Sequence, residues 1–124
     1  ALRTADDSGT VEGRIMAKVG LARALCGLCR HDEAATHADE AVEAAETTGY
    51  RIHEANARAA TAENLLERYR CTGDVELLHG ARARVEHAVA LHREMGCRID
   101  EARALTLLGD VVEALATPHQ ATRR

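Results

Sequence analysis

The nine residues GYRIHEANA at 49–57 return as GCRIDEARA at 96–104, and this repetition limits the fold more than any other feature of the chain. Six of the nine positions are identical: Gly49/Gly96, Arg51/Arg98, Ile52/Ile99, Glu54/Glu101, Ala55/Ala102 and Ala57/Ala104. The match extends backwards, pairing Ala34 with Ala81, Ala41 with Ala88 and Val42 with Val89. A Gly-x-Arg-Ile-x-Glu-Ala string contains residues that helix composition alone would not supply twice. Repeats spaced 20–50 residues apart are the mark of stacked units, each too small to bury its apolar face alone. The chain should therefore fold by laying one unit on the next.

Composition says what the units are made of. The chain of 124 residues has no Phe or Trp, two Tyr and one Pro, and its apolar content is dominated by Ala, with 25 copies, and Leu. These are the strongest apolar helix formers, whereas strands favour β-branched and aromatic residues. Apolar residues recur at helical spacing, as in Ile15, Val19, Leu21, Ala22, Leu25 and Leu28, or Ala34, Ala38, Ala41, Val42 and Ala45. Gly49, Gly73 and Gly96 mark helix ends. The pattern predicts five helices, at about 11–29, 32–48, 52–70, 75–95 and 99–116, the fourth weakened near Gly80. Residues 1–10 read as a polar lead-in, 11–116 as the helical repeat domain and 117–124 as a frayed tail. Short connections make neighbouring helices antiparallel. An all-α stack of two hairpins plus a closing helix follows, with small residues where helices cross.

Several residues resemble the tetratricopeptide family. Leu21-Ala22 with Leu25, then Ala34, Ala38 and Ala41, fit one unit of that family. Leu108-Gly109 with Val112 fit the first helix of a later unit, and Ala62 with Leu65, then Ala81, Val85 and Ala88, fit a longer middle unit. The resemblance implies a right-handed solenoid whose concave groove is lined by the first helix of each hairpin. Carried over position by position, its groove residues are Arg23, Asn56, Glu63, Arg103 and Asp110. Mixed Arg, Asn and acidic side chains suit an extended peptide or a charged partner segment. The string TTGYRIHEA with HREMGCRIDEARALTLLG is more narrowly similar to the repeat region of Streptomyces antibiotic regulatory proteins and related actinobacterial regulators. That likeness implies a cytoplasmic interaction or sensor segment of a transcriptional regulator. The nucleotide-binding loop and recognition helix of such regulators have no counterpart in these residues.

Other chemistry reads weakly. Cys26 and Cys29 form a CxxC, with His31 beside it and Cys71 and Cys97 elsewhere. A thiol- or metal-dependent sensor on Cys26 and Cys29 is one alternative; buried structural thiols are the other. Cys97 belongs to a turn between hairpins, at the opposite end of the stack from Cys26, Cys29 and Cys71. The seven histidines have no metal-helix spacing and read as exposed surface residues, so no metal or cofactor is implied. Arg51/Glu54 and Arg98/Glu101 are spaced to form local ion pairs. The formal charge of −4 is spread along the chain, which points away from direct nucleic-acid contact, and no apolar run is long enough for a membrane span. No nucleophile, base and oxyanion donor can be assembled from the pattern. The expectation is a non-enzymatic module for a protein or peptide partner, another domain of the same chain among the candidates. Self-assembly through the open N-terminal end of the stack is the remaining alternative.

Overall fold

The computed structural model describes residues 2–117, with side chains from residue 10 onward. The described chain is all-helical: α1 (Leu2–Gly27), α2 (His31–Thr48), α3 (Arg51–Thr72), α4 (Val75–Glu94) and α5 (Arg98–Ala116). Four of the five agree with the sequence periodicity to within two residues. The exception is the start of α1, which is helical from Leu2 and leaves no separate lead-in. Polar residues do not stop a helix, and nothing before Val11 breaks one as Pro would. Residues 118–124 of the expected tail lie outside the described residues. Gly80 does not interrupt α4. A Cβ there would meet Leu65 Cδ1 and an Arg84 nitrogen at 3.4 Å, so this position is where α4 runs close to α3.

The helix ends follow one device. Gly49, Gly73 and Gly96 all take the left-handed conformation, with φ of 79°, 74° and 69°. After α2, the Tyr50 N–H donates to the Ala45 carbonyl at 3.1 Å; after α4, the Cys97 N–H donates to the His92 carbonyl at 2.9 Å. Both are the six-to-one bonds of a Schellman ending. After α1 the Arg30 N–H bonds to the Leu25 carbonyl at 2.9 Å in the same way, but the left-handed position is held by Cys29, at φ 62°. Asp74 caps α4 by accepting from the Glu76 N–H at 3.0 Å.

Cross-helix ion pairs give the topology. Asp32 meets Arg68 and Glu46 meets Arg58, so α2 and α3 run antiparallel. Arg51 meets Glu94 and His87 meets Glu54, so α3 and α4 do the same. Glu12 meets His53 and Arg23 meets Glu63, which sets α1 parallel to α3. The third helix is central and touches all four others. The expected local pairs Arg51–Glu54 and Arg98–Glu101 do not form. Arg51 reaches Glu94 at 2.9 Å, Glu54 takes Arg58 at 2.9 Å, and Glu101 takes Arg93 at 2.9 Å. Arg51 and Arg93 find carboxylates on a neighbouring helix, and Glu54 finds Arg58 four residues on, in place of partners three residues away.

The core lies on both sides of α3. Between α1, α2 and α3 it is made of Ile15, Val19, Ala41, Ala45, Ala57 and Ala60, with Leu25, Cys26 and Ala34 continuing it. Ala34, Ala38, Ala41 and Ala45 are fully buried, as their helical spacing predicts. Between α3, α4 and α5 larger residues take over, among them Leu66, Tyr69, Leu78, Val85 and Val111. Leu21 and Leu28, expected on the buried face of α1, are 44% and 67% exposed. The inward stripe of α1 is the narrower set Ile15, Val19, Ala22 and Leu25.

Candidate functional site

The parallel helices α1, α3 and α5 leave a groove between them, made of two adjoining clefts. The first, of about 360 Å³, is lined by Arg23 of α1, by Asn56, Ala59 and Glu63 of α3, and by Asp100, Arg103, Ala104 and Leu107 of α5, with His92 of α4 at its base. The second, of about 340 Å³, shares Arg23, Glu63 and Leu107, and adds Cys26, Cys29, Glu67, Arg70 and Asp110. All five groove positions taken from the sequence, Arg23, Asn56, Glu63, Arg103 and Asp110, therefore line one continuous surface. They come together because parallel helices present the same face in the same register. Asn56 and Arg103 occupy equivalent places in the repeat.

The groove is polar, with charges of both signs. Arg23 Nε lies 3.6 Å from Glu63 Oε1, both side chains about half exposed. Burial raises the Glu63 carboxyl above its usual range, with Arg23 opposing the rise and Glu67 adding to it. Arg70, Glu67 and Asp110 carry the alternation of charge along the second cleft.

The CxxC borders this second cleft with one buried and one exposed thiol. Cys26 is buried, and its pKa is pushed up to about 11 by burial, then by Glu67, Glu63 and Cys29. A thiol held protonated is a poor nucleophile and ligand. Cys29 and Cys71 are exposed, and all four cysteines are free.

Four histidines depart most from the sequence reading, which left all seven on the surface; His79 and His87 are exposed as expected, and His119 lies outside the described residues. His92 is 1% exposed, and His31, His37 and His53 are partly buried. His31 Nδ1 lies 2.9 Å from Asn64 Oδ1, while Asn64 Nδ2 donates to the His31 carbonyl at 3.0 Å. Asn64, itself 2% exposed, thereby ties α3 to the start of α2, which has no side-chain cap of its own. Among the described residues, His92 Nδ1 is buried without a hydrogen bond, as are His31 Nε2 and His37 Nδ1. An unmet buried polar group costs about 1–3 kcal/mol. Burial lowers the His92 pKa, with Asp100 and Glu101 opposing the shift and Arg23 adding to it. The repeat held the signal that reveals this residue. At the equivalent place in the earlier unit stands Ala45, fully buried, so a histidine in its position had to be buried too.

Among the described residues, His92, Cys97 and Asp100 form the one set of three metal-ligand types whose donor atoms all lie within 4.8 Å of one another. Cys26, Cys29 and Cys71 belong to no such set among the described residues. Compared with protein-family models, with curated proteins and with solved structures, the chain matches none of them. No described helix is long and apolar enough to cross a membrane.

Proposed function

We propose that this chain is a non-enzymatic interaction module of the tetratricopeptide kind, a right-handed stack of helical hairpins that binds a protein or peptide segment in the groove between α1, α3 and α5. The observation that carries the reading is the gathering of Arg23, Asn56, Glu63, Arg103 and Asp110, spread over three helices, onto one surface. Alternating Arg and acidic groups fit an extended polar segment, whose own charges and backbone groups would pair with them. Resemblance of the repeat string to actinobacterial regulators supports a cytoplasmic sensor or docking region of a transcriptional regulator, with DNA contact left to other parts of such a protein. Affinity capture from host lysate, comparing wild type with the triple variant Arg23→Ala, Asn56→Ala, Arg103→Ala, tests the reading once circular dichroism has shown both to be folded. A protein held by wild type and lost by the variant is the expected result. Equal capture by both would remove the groove from the mechanism.

Self-association is a second reading, and the outer helices favour it. Met16 and Leu21 of α1 are 55% and 44% exposed, while Ile99, Leu105 and Val112 of α5 are 73%, 42% and 42% exposed. Leu105, Gly109 and Val112 follow one another at helical spacing, so α5 carries an apolar stripe in addition to the one it buries. The open apolar surface is therefore found at the C-terminal end of the stack as well as the N-terminal one. Light scattering over a concentration series, with Leu105→Glu/Val112→Glu as the comparison, separates the readings. A concentration-independent monomer would eliminate assembly.

A further inference from the structure

We propose that His92, Cys97 and Asp100 form a three-ligand site for a divalent transition cation of the zinc class, placed at the α4–α5 corner with its open coordination position toward the groove. Imidazole nitrogen, thiolate sulfur and carboxylate oxygen are the donors zinc takes, and three protein ligands with one open position is its usual exchangeable arrangement. The ligand atoms lie within 4.8 Å of one another. Tetrahedral bonds of about 2.0–2.3 Å would set donors about 3.3–3.8 Å apart. Rotation of the half-buried Cys97 and Asp100 side chains supplies the remaining movement of about an ångström without shifting a helix.

Two further observations point to a ligand there. The His92 ring is 1% exposed and its Nδ1 has no hydrogen-bond partner among the described residues, so the corner holds an unsatisfied buried imidazole. The repeat supplies an internal control. Its earlier corner has the same Gly ending and the same six-to-one backbone bond, but Ala45, Tyr50 and His53 stand where His92, Cys97 and Asp100 do. The shared framework needs none of the three ligand side chains. In the later corner that backbone bond, from the Cys97 N–H to the His92 carbonyl at 2.9 Å, holds two of the ligands in register.

Binding is a simple exchange. The metal forms a bond to Cys97 Sγ as the thiol proton passes to buffer, and the neutral imidazole and the Asp100 carboxylate each contribute a lone pair. The thiolate and carboxylate together balance the charge of the cation. Since His92 and Asp100 also line the cleft beside Asn56 and Arg103, the fourth position is open to water or to a donor from a groove ligand. The site stands independently of the proposed groove partner, because the metal alone is the probe.

The test is titration of the reduced, metal-stripped protein with Co²⁺, followed by displacement with Zn²⁺. One equivalent should bind and produce a sulfur-to-cobalt charge-transfer band in the near ultraviolet. Cys97→Ser should abolish the band. Asp100→Asn should weaken binding by at least the roughly 10- to 100-fold that loss of an outer-shell partner brings elsewhere. His92→Ala installs the residue that stands in the earlier corner and should also lose binding, with circular dichroism showing that the variant is folded. Cys26→Ser, Cys29→Ser and Cys71→Ser should leave the band in place. Binding well below one equivalent, or a band that survives Cys97→Ser or disappears with Cys29→Ser, would overturn the assignment.

Discussion

Replacing Cys29 with glycine should stabilise the protein, although it removes a side chain and adds nothing. Cys29 occupies the left-handed position after α1 at φ 62°, where the endings of α2, α3 and α4 all have glycine. A residue with a Cβ is disfavoured there by about 1–2 kcal/mol. Glycine escapes that penalty but loses about 0.5–1 kcal/mol through the greater freedom of its unfolded chain. Cys29 is exposed and lies outside the core, so little packing is lost. The net expectation is a gain of about 0.5–1 kcal/mol, which for a chain of this length corresponds to a rise in Tm of about 2–4 °C. Cys29→Ala is the control, since it removes the thiol but keeps the Cβ, and it should stay within about 0.5 kcal/mol of wild type. Thermal melts by circular dichroism under reducing conditions, with urea denaturation alongside, would read all three proteins. If Cys29→Gly is no more stable than Cys29→Ala, the argument from backbone strain fails.

Three other outcomes follow from the packing and the buried polar groups. Leu78→Ala, at a fully buried site facing α3 and α5, should lose about 2–4 kcal/mol in urea denaturation, whereas Ile99→Ala, 73% exposed, should change stability by less than about 0.5 kcal/mol. Asn64→Ala should lose about 1–3 kcal/mol, because it leaves the part-buried His31 Nδ1 without its partner and removes a second bond to the His31 carbonyl; an unchanged urea midpoint would show that the bridge to α2 contributes nothing. Because burial lowers the His92 pKa below its ordinary 6.5, the unfolded chain binds the proton first on acidification. This part of the stability is complete above pH 6.5 and is lost as pH falls below it toward the folded value. The slope of stability against pH in that window should flatten in metal-free His92→Ala; an unaltered slope would refute the assignment.

Much of the architecture is legible in the sequence because it depends on local rules. Alanines seven apart mark the buried stripe of α2, and glycines mark the endings of α2, α3 and α4. The repeat fixes two equivalent corners, and register then carries Asn56 and Arg103 to one surface. What escaped the reading depends on comparison across helices. The start of α1 is hidden because a polar helix has no periodic stripe to announce it. Arg51 finds its partner on α4, 43 residues away, and Glu101 finds Arg93 across a turn, where sequence spacing gives no guide. His92, Cys97 and Asp100 look unrelated in the sequence. The tight ending at Gly96 folds the start of α5 back on the end of α4 and makes them neighbours. Only the substitution of histidine at the place of Ala45 foretold that something was buried there.

The position of α5 has a consequence for binding. This helix supplies Arg103, Leu107 and Asp110 to the groove and Asp100 to the α4–α5 corner, yet only Ala104 and Val111 among its residues are fully buried. It rests on α4 and more lightly on α3, so one wall of the groove is also the part most easily released from the rest. Docking of α5 and occupation of the groove are then linked equilibria. A ligand spanning α3 and α5 would slow amide hydrogen exchange in α5 far from its own contacts, and its apparent affinity would be set by the fraction of molecules in which the wall is closed.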